Sequence, residues 1–303
     1  MAPSAQRPLG DARPRLAPAA GPGLAKVVLL GQETAGPPLV FIHASDGSAL
    51  PYLALARQLG DGQRCLGVEA SWPDWPAGGA APDRGAEVAD LDDLADGYAE
   101  EIIRACGRGP YQLAGWSLGG ALAFAVAVAL RARRQRVAML ALIDPVSRLG
   151  RDWPQDRAAT LAVFAQSAAQ SVGIGPAQVS APDLRGLSLA EQDRRVLGSL
   201  ASAGVIPAGT ASISLARVRM LTFESLLTAL AAWCPGQFDG RIDVLLPAER
   251  PADDLAREWA SLTTGPTVTH RVGGDHYTML RPPLVGQVAR VFTRLLRAAA
   301  GLP

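Results

Sequence analysis

The chain reads as an α/β protein: a mostly parallel central sheet flanked by helices, interrupted once by a long helical insertion. Three observations carry this. Short apolar runs of strand length, such as 39–43 and 137–143, alternate with helix-length stretches. These runs are apolar throughout, as strands buried on both faces are. The alternation stops from Val146 to about Gly240, where helical stretches at 154–172, 188–203 and 213–233 follow one another with no strand between.

Each element follows in order. Residues 1–25 are rich in proline and alanine and lack a period, so they read as a linker expected to be disordered, with the folded domain over 26–303. A first strand is expected at 26–30, then a turn at Gly36-Pro37-Pro38 and the buried strand 39–43. That strand runs into Ala44-Ser45-Asp46-Gly47 and a helix over 48–59. A strand at 64–68, a loop rich in tryptophan and proline at 71–82 and a helix over 88–106 come next. A strand at 110–114 leads through Gly115-Trp116-Ser117-Leu118-Gly119-Gly120 into a helix over 117–133. The strand 137–143 ends at Asp144-Pro145. After the insertion (146–240) come a strand at 242–246, a helix near 252–261 and a strand at 267–272. A loop, Gly273-Gly274-Asp275-His276, precedes the closing helix over 283–299.

Composition narrows the function. The 303 residues are 49% hydrophobic and 19% charged, enough for a sizeable core. A net charge of +1 excludes a broad nucleic-acid footprint. Cys65, Cys106 and Cys234 match neither a disulfide framework nor a metal spacing, which favours a reduced, cytoplasmic setting and no metal. The proline-rich start has no apolar signal region, and the longest apolar run, 121–130, falls short of the roughly 20 residues a bilayer requires. Neither a membrane nor nucleic acid is expected as partner.

The stretch around Ser117 carries the chemistry. Strand, sharp turn and helix with a serine at the turn form a nucleophile elbow, and its glycines let strand and helix approach closely. A serine hydroxyl needs a general base, and the base needs a group that fixes its tautomer. Ser117, Asp144 and His276 each follow an expected strand, in the chain order serine, acid, histidine. Glu249, Asp253 and Asp254, after the next core strand, compete with Asp144. His43 is the rival base, though its place suits shaping the loop that follows; His270 lies inside a strand. Oxyanion donors are expected from the Leu118 amide and from the loop after strand 39–43, through Ser45 or else Ala44. Trp116, Phe164 and Phe223 are candidate substrate contacts. Trp153, Trp233, Trp72 and Trp75 are weighed with them, against packing of the insertion on the core. The arginines 131, 133, 134 and 136 suit either an acidic partner or a solvated helix C-terminus.

Four patches together are recognisable. The stretch from Phe41 to Tyr52, the segment Gly115 to Gly120, Ile143-Asp144-Pro145, and Gly274-Asp275-His276-Tyr277-Thr278-Met279 resemble the type I thioesterase domains of nonribosomal peptide and polyketide synthetases, members of the α/β-hydrolase superfamily. The resemblance implies an acid on the strand after the elbow helix, which supports Asp144 over Asp253, and a helical lid at the insertion. It implies release, by hydrolysis or macrocyclisation, of a chain delivered on the phosphopantetheine arm of an acyl or peptidyl carrier protein, with no tightly bound cofactor. The family's loop often reads His-Pro-x-Gly-Gly. Here it is His43-Ala44-Ser45-Asp46-Gly47, with Asp46 in place of a glycine and Ser45 aligned as oxyanion donor. Trp116 before the serine leans toward the peptide-synthetase branch. The alternatives are a discrete esterase or editing type II thioesterase acting on small acyl groups, and a non-catalytic binding protein of the same fold.

Overall fold

The computed structural model describes residues 25–60, 62–71, 90–146, 156–175, 177–207, 209–250 and 253–301, with nothing said of the Asp253 side chain. Residues 1–24 of the linker expected over 1–25, most of the 71–82 loop with Trp72 and Trp75, and Trp153 therefore lie outside the described residues, while Ala25 belongs to the first strand instead.

Seven strands form one sheet in the order β1-β3-β2-β4-β5-β6-β7. They are β1 (Ala25–Leu29), β2 (Leu39–Ile42), β3 (Cys65–Ala70), β4 (Tyr111–Trp116), β5 (Val137–Ile143), β6 (Ile242–Pro247) and β7 (Thr267–Val272). Only β1 runs antiparallel, on the edge against β3; every other pairing is parallel. The helices are α1 (Leu53–Leu59), α2 (Leu91–Cys106), α3 (Leu118–Ala132), α4 (Arg157–Ser171), α5 (Ala181–Leu184), α6 (Leu189–Ser202), α7 (Thr210–Ala232), α8 (Asp253–Ala260) and α9 (Val285–Ala299). The helix expected over 48–59 is α-helical only from Leu53; a 3₁₀ turn at Leu50–Tyr52 precedes it. Ser48 turns the chain ahead of it, its hydroxyl accepting from the Leu50 amide at 3.2 Å.

The strands obey the two-residue alternation of a sheet covered on both sides. Val40, Ile42, Leu113, Leu140 and Leu142 face one core, filled by α2, α3 and the inserted helices. Leu39, Phe41, Ala114, Trp116, Met139 and Ile143 face the other, filled by α1 and α9. Helix α3 is apolar on nearly all sides because neighbours surround it, whereas α9 buries only the stripe Val285, Val288, Ala289, Val291, Phe292 and Leu295.

The inserted helices α4–α7 hold together partly through charge. Arg157 of α4 pairs with Asp193 of α6 and Glu224 of α7, each at 2.7 Å, and Arg217 reaches Asp193 at 3.2 Å. The far end is pinned to α2, where the Trp233 indole donates to Asp92 at 2.9 Å. Helix α7 is mixed. All its buried residues lie from Met220 onward, against the sheet-side core, while Ile213 and Leu215 in its first half are exposed.

Two buried hydrogen-bond relays shape the sheet's C-terminal edge. The Tyr52 hydroxyl donates to the Ile42 carbonyl at 2.7 Å and accepts from the Trp116 amide at 2.8 Å, tying the end of β2 to that of β4. His43, wholly buried, donates from Nδ1 to the Ala44 carbonyl and accepts at Nε2 from the Tyr98 hydroxyl of α2, both at 2.7 Å.

Where β4 becomes α3, backbone meets backbone. A Cβ on Gly115 would lie 1.9 Å from the Gly119 carbonyl oxygen, and one on Gly119 would lie 2.4 Å from that of His43. No rotamer relieves a clash with main chain. Gly115→Ala is therefore expected to destabilise the fold by about 3 kcal/mol or more, read from urea unfolding midpoints; a variant of wild-type stability would contradict this packing.

Burial lowers the pKa of His43 to about 4, although the bond to the Ala44 carbonyl pulls the other way. The unfolded chain, with its histidine near the usual 6.5, then binds a proton that the native state refuses. This contribution is complete above the unfolded value and is lost as the pH falls from 6.5 toward 4. His43→Gln keeps a donor and an acceptor but does not titrate. Wild type should lose ~2 kcal/mol more than the variant between about pH 7 and about pH 5 in urea titrations, and parallel losses would remove His43 as the cause.

Candidate active site

The parallel strands deliver their C-terminal ends to one edge. Ile42 lies beside Gly115, Trp116 beside Ile143, Ile143 beside Leu245, and Pro247 beside Val272. The residues that follow β2, β4, β5 and β7, namely His43, Ser117, Asp144 and the loop bearing His276, therefore gather along that edge.

Ser117 stands at the elbow with φ 60° and ψ −126°, a conformation a side chain rarely adopts. The surroundings impose it: the Ser117 amide donates to the Ile143 carbonyl at 3.0 Å, and its own carbonyl accepts from Gly120 at 3.0 Å and Val146 at 3.3 Å. The result is a half-buried serine at the start of α3, where the positive end of the helix dipole lies. Among the described residues its hydroxyl makes no hydrogen bond. Such contacts are often long in unliganded sites.

Asp144 is buried at 1% exposure and also takes a positive φ, 36°. Its amide donates to the Leu245 carbonyl at 2.7 Å, which locks the residue to the neighbouring strand. One carboxylate oxygen, Oδ2, accepts from His276 Nδ1 at 2.6 Å. A carboxylate only accepts, so the proton sits on Nδ1 and Nε2 is left as a free base. The other oxygen, Oδ1, is bonded to the Arg250 guanidinium. The turn after β6, where rival acids were considered, thus supplies Asp144 with a cation.

His276 is half-buried and held from two sides. The Trp116 ring packs on it at 4.9 Å, and the Trp116 indole donates to the His276 carbonyl at 3.0 Å. Behind it Asp275 caps its own turn, accepting from the amides of Tyr277 and Thr278, each at 2.9 Å. The Tyr277 hydroxyl meets Ser167 of α4 at 2.9 Å, joining the histidine loop to the insertion.

Two amides suit an oxyanion. Among the described residues nothing accepts from the N–H of Leu118 or of Ser45, while the Ala44 amide is spent on the Ser48 carbonyl at 3.1 Å. That favours Ser45 over Ala44 as donor. Asp46 turns aside: Oδ1 accepts from the Ser48 amide at 3.1 Å, and Oδ2 lies 3.9 Å from Arg219 of α7. Burial raises its pKa, and Arg219 opposes that shift.

The remaining candidates sort by burial. Trp116, 6% exposed, packs on His276. Phe164 and Phe223 are buried and pack on each other at 5.5 Å inside the insertion, so their rings serve its interior rather than an open channel. Trp233 packs against Phe124 at 6.2 Å. Both nitrogens of His43 are occupied, so it is not free to act as base. His270 bonds Asp243 at 2.8 Å within the sheet. In the basic cluster Arg131 pairs with Asp239 and Arg133 with Asp96 and Glu100, both on the molecule itself. Tyr52, Tyr98 and Arg250 were not singled out from sequence. Tyr52 lay inside a recognised patch, but nothing in the chain says what its hydroxyl bridges.

Among the described residues no three His, Cys, Asp or Glu side chains cluster as a metal site would require. No helix among them is long and apolar enough to cross a membrane.

Known proteins share this fold. Chondramide synthase cmdD of Chondromyces crocatus is 29% identical over 277 residues, which is 88% of this chain but 7% of that protein. The structure of a Vlm2 thioesterase domain bound with a dodecadepsipeptide superimposes with a TM-score of 0.66 at 25% identity, covering 89% of this chain and 97% of that one. The four-domain nonribosomal peptide synthetase AB3403 gives a TM-score of 0.75 at 24% identity, with 89% of this chain matched to 20% of its own. A family model described as the thioesterase domain matches residues 37–296. The chain belongs to the thioesterase domain family.

Proposed function

We propose that this domain releases a peptidyl or polyketide chain from the phosphopantetheine thioester of a carrier protein, with Ser117, His276 and Asp144 as its catalytic triad. The observation that carries the reading is the 2.6 Å Asp144–His276 bond on the edge where the strained Ser117 elbow stands. Its Nδ1 tautomer leaves Nε2 to act as base.

In the first half-reaction Ser117 Oγ attacks the thioester carbonyl and His276 Nε2 takes its proton. Charge on the carbonyl oxygen is met by the amides of Leu118 and Ser45. The tetrahedral intermediate collapses, the pantetheine thiol leaves with the proton from the imidazolium, and an acyl-Ser117 ester remains. In the second, water or an amine or hydroxyl of the chain itself attacks the ester, giving a linear acid or a ring. Helices α4–α7 act as the lid that admits or excludes water. A multidomain setting is supported by the relatives, of which this chain matches a small part. The carrier domain is the partner this reading requires, and the pantetheine arm belongs to the substrate.

Intact mass spectrometry with a peptidyl thioester tests the nucleophile. Wild type should gain the mass of the acyl group, while a folded Ser117→Ala should gain none and lose about 10⁴-fold or more in kcat/KM; acylation persisting in the variant would refute the assignment. Asp144→Asn should cost about 10³-fold or more and Asp253→Asn less than about threefold; the reverse ranking would move the acid to the later loop. Products of a thioester panel would separate hydrolysis from cyclisation.

A further inference from the structure

We propose that Arg250 is a positioning residue for the Asp144–His276 pair: it fixes the carboxylate in the plane that presents Oδ2 to the histidine. This rests on the triad reading given above.

A carboxylate with one partner can twist about its Cβ–Cγ bond. Asp144 has two partners on opposite oxygens, His276 on Oδ2 and Arg250 on Oδ1. With the backbone held at φ 36° and bonded to Leu245, the Arg250 contact restricts the remaining side-chain freedom. Arg250 is itself anchored. Its amide donates to the Pro247 carbonyl at 3.2 Å, and the Arg271 guanidinium of β7 donates to the carbonyls of Pro247 at 2.7 Å and Arg250 at 2.5 Å. A line of bonds thus runs from β7 through the turn after β6 to the acid on β5. Its end is asymmetric: Asp144 is buried, while the Arg250 side chain remains 42% exposed.

The test is kcat and KM of wild type, Arg250→Ala and Arg250→Lys on a pantetheine thioester, with thermal melts to confirm folding. Arg250→Ala should lose about tenfold or more in kcat with KM little changed. Arg250→Lys keeps the charge without the planar fork, so it should restore only part of kcat. A folded Arg250→Ala with unchanged kcat, or one whose loss lies in KM, overturns the proposal. A wild type that never acylates at Ser117 overturns the triad reading and this one with it. A wild type that acylates normally beside an unaltered Arg250→Ala overturns this one alone.

Discussion

Everything at the site depends on two stretches of main chain touching where β4 turns into α3. Gly115 and Gly119 leave no room for a side chain between strand and helix, and Gly119 also lies against the carbonyls of Ile42 and His43. That one approach does three jobs. It goes with the unusual φ and ψ of Ser117, starts α3 directly after that serine, and brings the end of β2 against the helix start. Tyr52 stiffens the contact by bonding both strand ends. Strain at a single residue persists because the surrounding main chain over-determines it.

The edge is also arranged by charge. Asp144 is buried yet has a cationic neighbour on one oxygen and a histidine on the other, so its desolvation is offset by two bonds. Asp46, the other carboxylate near the reacting centre, is turned toward Ser48 and Arg219 and away from the oxyanion position. One acid is bonded to His276 and the other is held by Ser48 and Arg219.

Much of this was legible in the sequence. Strands buried on both faces write themselves as nearly unbroken apolar runs, which is why β2 and β5 fall within a residue of expectation. The elbow was legible because glycine is demanded on both sides of the serine. The α-helix expected from Ser48 starts only at Leu53, because the turn at Ala44–Ser48 and the 3₁₀ turn containing Pro51 precede it. Arg250 is a different case: a lone arginine in the turn after β6 carries no local signal, and its contact with Asp144 spans 106 residues of sequence. Phe164 and Phe223 show the converse, since aromatic type alone does not distinguish a channel wall from the interior of a helical insertion.

Helix α7 has a mechanical consequence. Its 23 residues make a rod of about 35 Å. From Met220 onward it is embedded, and just past its end Trp233 bolts the chain to α2. The first half is held as well: Arg217 reaches Asp193 of α6 at 3.2 Å, and Arg219, where the embedded part begins, reaches Ser48 of the loop after β2 at 3.4 Å. One straight rod therefore braces three places at once, the inserted helices along its flank, the loop after β2 at its middle and α2 at its end.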